Sequence, residues 1–304
     1  SKRTNRALEV IKLRGSRHLL GRQELVITDR GCEIHPRVED LVVERGLEPQ
    51  ALEERVPSGI AELDAMLGGG FVAGTTSILL GFTGSGKTTL GLSFLDAAAG
   101  KGIPSLYFGF YEPPGRILAA ADAIGLGLRD AEERGKFAQI WQPPYDYGLD
   151  GLGRRLFDDV QRRGVRRLVI DGLDGFRQAA VDPDRTIRFI TALTNELRGR
   201  GVTTLVTEET PRPYGPEVAT RVEGTSALAD AIVLLEYLTV GTDLRRLISV
   251  IKQRETAHQL SVREFALTNR GLRVDATSDG ADALLSGPDP ISARNRKPRS
   301  IPRA

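Results

Sequence analysis

One cysteine in 304 residues, Cys32, is too few for an internal disulfide framework or a Cys-based zinc site. No apolar run approaches the roughly 18 residues of a membrane span, and no secretory leader opens the chain. From this we expect a soluble, cytoplasmic protein. Charge of one sign is also missing: 42 Lys and Arg face 40 Asp and Glu, a net charge of +2. Nothing demands a nucleic-acid partner, which usually announces itself as a clustered basic face. The hydrophobic fraction of 40% is ample for one large α/β domain with extensions.

Glycine, in contrast, is plentiful at 34 residues, and one group of them is ordered. Gly81-Phe82-Thr83-Gly84-Ser85-Gly86-Lys87-Thr88 reads G-x-x-x-x-G-K-[ST], the phosphate-binding loop of nucleoside triphosphatases. Glycines let the backbone curl so that successive N–H groups face an anion. Lys87 adds positive charge near the β- and γ-phosphates, and the Thr88 hydroxyl is suited to Mg²⁺. Ser77-Ile78-Leu79-Leu80 ahead of the loop is the short apolar run of a buried parallel strand. Thr89 to Ala99 behind it is helical in spacing, with Leu90 and Phe94 on one face and the helix's positive end at the loop. Thr83, Gly84, Ser85, Gly86, Lys87, Thr88 and Thr89 are therefore the expected contacts to ATP, with Mg²⁺ as its companion.

The chain also repeats itself. Val10-Ile11-Lys12-Leu13-Arg14 matches Val250-Ile251-Lys252-Gln253-Arg254, and at a constant offset of 240 there are 10 identities over the 25 positions from 10 to 34. Glu24 falls on Glu264, Thr28 on Thr268 and Arg30-Gly31 on Arg270-Gly271. Both copies read as alternating strands closed by a turn. We expect 1–37 to be the C-terminal hairpin of a preceding domain, 38–54 a charged, helical linker, 55–276 the nucleotide-binding domain and 277–304 a disordered basic tail. Arg294, Arg296, Lys297, Arg299 and Arg303 in that tail offer an acidic protein partner a contact, although solvated disorder is the simpler account.

Between these landmarks, strands alternate with helices. Ser58 is expected to cap a short helix carrying Leu63, Met66 and Leu67, ended by Gly68-Gly69-Gly70. Strands are expected at 105–110, 137–141, 166–171, 203–207, 231–238 and 247–253, and 211–223 reads as a mobile loop. The fold class is α/β: a mainly parallel sheet flanked by helices, with an antiparallel C-terminal hairpin.

Asp171 ends an apolar strand, where ligands sit in open parallel sheets, and suits the second Mg²⁺-holding position opposite Thr88. Glu112 ends the strand expected beside the loop strand and is the leading candidate to orient or deprotonate a nucleophile. Glu208 and Glu209 are the runners-up.

Taken together these segments resemble the KaiC-like group of RecA-superfamily ATPases. The resemblance rests on Val56-Pro57-Ser58-Gly59-Ile60, Leu63-Asp64, Gly68-Gly69-Gly70, the phosphate loop, Phe110-Tyr111-Glu112, Val169-Ile170-Asp171, Ser226 to Asp230 with Leu234-Leu235, and Lys252-x-Arg254. It implies tandem domains, a homo-oligomer built as a hexameric ring, and ATP held between subunits. It further implies that Lys252 and Arg254 reach a neighbour's γ-phosphate and that His258 lies near the nucleotide. Two departures stand out. Tyr111 occupies the first of two positions that are usually both glutamate, so hydrolysis is expected to be slow or lost. Ser226 is followed by Ala227, so a tandem phosphorylation site is not kept, although Thr225 offers a hydroxyl. Two other classes remain beside a ring-forming ATPase. One is a nucleotide-binding scaffold without turnover. The other is a RecA-type DNA recombinase, for which Arg212, Tyr214 and Arg221 are thin support.

Overall fold

The computed structural model describes residues 6–16, 18–19, 21–45, 54–144, 147–210, 224–240, 242–254, 261–279 and 281. In chain order the elements are β1 (Arg6–Leu8), β2 (Gln23–Thr28), β3 (Gly31–His35), α1 (Val38–Arg45), β4 (Arg55–Val56), α2 (Ala61–Met66), β5 (Phe71–Val72), β6 (Thr76–Gly81), α3 (Lys87–Ala99), β7 (Ser105–Gly109), α4 (Pro114–Ala123), α5 (Leu128–Glu133) and β8 (Phe137–Trp141). There follow α6 (Leu149–Arg163), β9 (Arg167–Asp171), α7 (Asp174–Ala179), α8 (Arg185–Gly199), β10 (Thr203–Glu209), α9 (Thr225–Leu228), β11 (Ala231–Val240), β12 (Asp243–Gln253), β13 (Val262–Thr268) and β14 (Gly271–Val274).

The main sheet runs β14-β13-β12-β11-β6-β10-β9-β7-β8. From β11 to β8 every neighbouring pair is parallel. The other three strands add on antiparallel. Because side chains alternate along a strand, the sheet feeds two cores. Leu79, Tyr107, Val169, Leu205 and Val233 point to the side packed by α2, α3, α4 and α5. Leu106, Phe108, Leu168, Ile170 and Val206 point to the side packed by α6, α7 and α8. The expected α/β architecture is the one observed.

Strand order corrects one expectation. The neighbours of β6 are β10 and β11, so β7, which leads to Glu112, is not beside the loop strand. Strands β9 and β10 lie between them, because the crossovers through α6 and α8 return the chain inward toward β6. A second correction concerns Ser58. The first cap of α2 is Ile60, with no side-chain cap bond. Instead Asp64 accepts the Ser58 N–H at 2.7 Å, and the Ser58 hydroxyl accepts the Ile60 N–H at 3.1 Å. The helix thus holds its own entry turn from within.

The amino-terminal strands form a separate three-stranded sheet, β1-β2-β3. Its registers repeat those of β12-β13-β14 at the same offset of 240: Ala7 pairs Glu24 as Leu247 pairs Glu264, and Leu25 pairs Ile34 as Phe265 pairs Val274. Even the turns match. Thr28 Oγ1 accepts the Arg30 N–H at 3.2 Å and donates to Gly31 O at 3.2 Å; Thr268 does the same with Arg270 and Gly271 at 3.1 and 2.9 Å.

This small sheet is fastened to the body. The Glu24 carboxylate accepts the Gly148 and Gly151 N–H groups at 2.9 and 3.0 Å, which caps α6 from 124 residues away. Val38 is buried, and its N–H donates to Asp150. Arg185 of α8 then bridges Glu39 and Asp150, each at 2.6 Å. Residues 38–45, expected within a linker, are therefore a helix docked against the body.

Candidate functional site

The phosphate loop joins β6 to α3 at the carboxyl edge of the parallel strands. Its conformation requires glycine at two points, since Gly84 and Gly86 have φ of 79° and 108°. Gly86 is the first cap of α3 and offers no side chain, so the first N–H groups of that helix are left facing the loop. The Tyr237 hydroxyl of β11 donates to Gly84 O at 2.6 Å and steadies the loop from the side. Leu267 of β13 lies against the other flank, where a Cβ on Gly86 would meet its Cδ2 at 3.2 Å.

A cleft of about 560 Å³ opens above this loop. Thr83, Gly84, Gly86, Lys87, Thr88 and Thr89 line it, as expected from the sequence. Ser85 does not; it is fully buried beneath the loop. Asp171, Glu112, Glu208 and Glu209 border the same space, so strand ends far apart in sequence converge on it. Lys87 Nζ is 8% exposed as a residue and donates to Gly81 O and Phe82 O, each at 2.9 Å.

Asp171 accepts three hydroxyl hydrogen bonds at the floor of the cleft. Thr88 Oγ1 donates to its Oδ2 at 3.0 Å, which joins the two expected Mg²⁺-holding residues directly. Tyr107 donates to the same oxygen at 2.5 Å, and Thr207 donates to Oδ1 at 2.5 Å. Burial, and then the Asp171 charge, push the Tyr107 phenol far above its usual range, so it stays a donor. Tyr111 is pushed up to about 12 by burial and then by Asp174. Its hydroxyl accepts from Gln178 at 3.1 Å, and its ring covers Gly172, where a Cβ would meet Cε2 at 2.8 Å.

The remaining predicted residues are placed as follows. Glu112 lines the cleft and pairs with Arg116 at 3.2 Å. Glu209 accepts from Thr83 Oγ1 at 2.8 Å, whereas Glu208 is buried and accepts from Thr225 Oγ1 at 2.9 Å. That bond takes the Thr225 hydroxyl, 1% exposed, out of reach of solvent. Lys252 and Arg254 are not in the cleft. They leave the end of β12, whose Lys252 pairs with Ile232, and Ile232 in turn with Ile78. This is the edge of the sheet opposite the phosphate loop. There Lys252 Nζ and Arg254 Nη2 donate to Ser226 O and Ala227 O, each at 2.6 Å. Burial, and then the Arg254 charge, lower the Lys252 ammonium below its usual value. His258 lies outside the described residues, as do the expected loop 211–223 with Arg212, Tyr214 and Arg221, and the tail from 282.

Sequence reading missed Tyr107, Thr207 and Tyr237. Tyr107 sits inside an apolar strand and reads as core, and Thr207 ends the expected strand 203–207 without belonging to a motif; only alternation, which turns them to the face of the sheet that meets α3, would single them out.

The donor set suits Mg²⁺: a hydroxyl and a carboxylate side by side are hard oxygen donors. Among the described residues no group of three or more His, Cys, Asp or Glu forms a metal cage.

An anion loop between a buried parallel strand and a helix, with a hydroxyl–carboxylate pair across it, defines a phosphate-loop nucleoside triphosphatase domain of the RecA type. More narrowly, a protein-family model described as "ATPase: KaiC" matches residues 56–279, and the chain belongs to that family. It is 27% identical over 282 residues to the circadian clock oscillator protein KaiC of Parathermosynechococcus lividus, covering 93% of this chain and 51% of the relative. It is 28% identical over 296 residues to the circadian clock protein KaiC3 of Synechocystis sp. (strain ATCC 27184 / PCC 6803 / Kazusa), covering 97% and 57%. With KaiC of Synechococcus elongatus (strain ATCC 33912 / PCC 7942 / FACHB-805) it shares 27% identity over 285 residues, covering 94% and 54%. The chain thus spans about half the length of these relatives. No helix among the described residues is long and apolar enough to cross a membrane.

Proposed function

We propose that this chain binds Mg-ATP in the cleft above Gly81–Thr88 and hydrolyses it as one subunit of a cytoplasmic homo-oligomeric ring, coupling nucleotide state to a protein partner. The observation that carries the reading is the direct bond from Thr88 to Asp171, one from each side of the loop. The loop N–H groups and Lys87 would hold the phosphates, and Lys87 already points its ammonium at carbonyl oxygens of the loop. Thr88 and Asp171 would hold Mg²⁺, which supplies charge neutralisation at the phosphates when bound. Glu112 is the group assigned to orient and deprotonate water, with Glu209 behind it. The placement of Lys252 and Arg254 on the far edge supports action on a neighbouring subunit's nucleotide rather than on their own.

The repeated hairpin supports a tandem origin. Its counterparts at the carboxyl end are buried against the body, whereas Ile34 is 46% exposed where Val274 is 2%, and Leu8 is 38% exposed where Ile248 is 0%. We read β1-β2-β3 as the closing edge of a preceding domain of the same kind.

Phosphate release measured beside oligomeric mass tests the proposal, with Lys87→Ala as control. Release by the wild type that the control loses, from a protein of several subunits, is the expected result. Equal, negligible release with ATP still promoting assembly would favour a second reading, a nucleotide-binding scaffold. Tyr111 next to Glu112, and the tie of Glu112 to Arg116, are the features that favour that alternative.

A further inference from the structure

Asp171 lies in the cleft just described, but the way it is held is unusual. A carboxylate offers roughly four lone-pair directions. Three of them are taken by hydroxyl donors: Thr88 at 3.0 Å and Tyr107 at 2.5 Å on Oδ2, and Thr207 at 2.5 Å on Oδ1. None of these protons is easily diverted. Thr207 Oγ1 accepts the Gly172 N–H at 2.8 Å on one of its two lone pairs and gives its single proton to Asp171. Tyr107 is 2% exposed, so its hydroxyl is costly to bury without a partner. Its ring is wedged as well. A Cβ at Gly109 would stand 2.6 Å from Tyr107 Cε1, and Gly109 is the register partner of Asp171 on the neighbouring strand. The glycine therefore makes room for a ring that reaches along its own strand to the carboxylate.

We infer that Tyr107 is a positioning residue that sets how tightly the cleft retains its divalent cation, by clamping Asp171 in the rotamer that faces Thr88. With both oxygens engaged, Asp171 has one lone-pair direction left and cannot chelate a cation with two oxygens. It would meet the ion through that single direction or through water. Hydrogen bonds to metal-facing carboxylates fix their orientation, and losing one commonly costs about 10–100-fold in metal affinity. The inference rests on the Mg-ATP reading of the cleft.

The test is binding of a fluorescent ATP analogue to the full chain, titrated with Mg²⁺ and repeated in EDTA. Tyr107→Phe keeps the ring and deletes only the hydroxyl. We expect it to bind the analogue in EDTA as the wild type does. The Mg²⁺ concentration for half-maximal enhancement should rise about tenfold. In an Asp171→Ala background the same change should add nothing, because the clamp has lost its target. An unchanged Mg²⁺ midpoint would overturn the inference, even if Tyr107→Phe melted at a lower temperature, since a packing role predicts that alone. An equal shift in the Asp171→Ala background would also overturn it, by showing that Tyr107 acts elsewhere. A wild type that binds the analogue in EDTA but gains nothing from Mg²⁺ overturns the clamp and leaves nucleotide binding standing. A wild type that binds no analogue overturns the proposed function and the clamp together.

Discussion

Lys87 and Glu112 make opposite demands on the cleft, and single substitutions separate them. Lys87 is buried on the loop and stands ready to exchange loop carbonyls for phosphate oxygens. Lys87→Ala should lower phosphate release by at least about 100-fold, as loss of a charged transition-state contact does, and weaken binding of the ATP analogue. Glu112 pairs with Arg116 across a partly exposed surface, a bond of little energetic weight. Glu112→Gln should therefore leave analogue binding and melting temperature intact. Its release rate should fall by about 10²–10⁴, the usual worth of a positioned general base. If Glu209→Gln gives that pattern and Glu112→Gln does not, the base belongs on β10, next to the loop strand.

At the scale of elements, the attachment of the small sheet makes a sharp expectation. Glu24 accepts two N–H groups at the start of α6, a 15-residue helix whose own Gly148 supplies no cap. Glu24→Ala should cost about 1–2 kcal/mol, combining a lost cap with lost charge at a helix start, read as a shift in urea midpoint. Arg185→Ala should cost more, about 3–5 kcal/mol, because Asp150, 2% exposed, would keep its charge without its partner. The loop strand, the loop helix and the strand ending in Asp171 were legible because apolar runs and the glycine spacing bracket them tightly. The six-residue helices α5 and α7 were not, since they carry too few periods to show a face; the equally short α2 was legible only because Gly68-Gly69-Gly70 closes it. Strand order was illegible too. Glu112 was assigned to a neighbour of β6 because sequence proximity suggests spatial proximity, yet both later strands insert between. In the site, most phosphate-loop residues named by the motif border the cleft, whereas Tyr107 was hidden by the apolar residues around it and Thr207 belonged to no motif.

For the whole molecule, the two edges of the sheet carry different parts. The phosphate loop is on one, and Lys252 with Arg254 on the other. In the proposed ring, a chain built this way would associate head to tail. Arg254→Ala should leave analogue binding unchanged and reduce turnover by about 10³ or more, the range for an arginine finger. Mixed with Lys87→Ala subunits it should regain activity at hybrid interfaces, measured as phosphate release from rings of known mass. Failure to regain any in well-mixed rings would count against action between subunits. The flank of the loop has its own consequence, in the order of synthesis. Leu267 and Phe265 stand against Gly86, yet they belong to the last hairpin of the domain. On the ribosome the loop emerges long before the wall that confines it. A nascent chain thus carries an open anion loop until β13 and β14 have been made, and the nucleotide cannot be fully enclosed before the domain is complete.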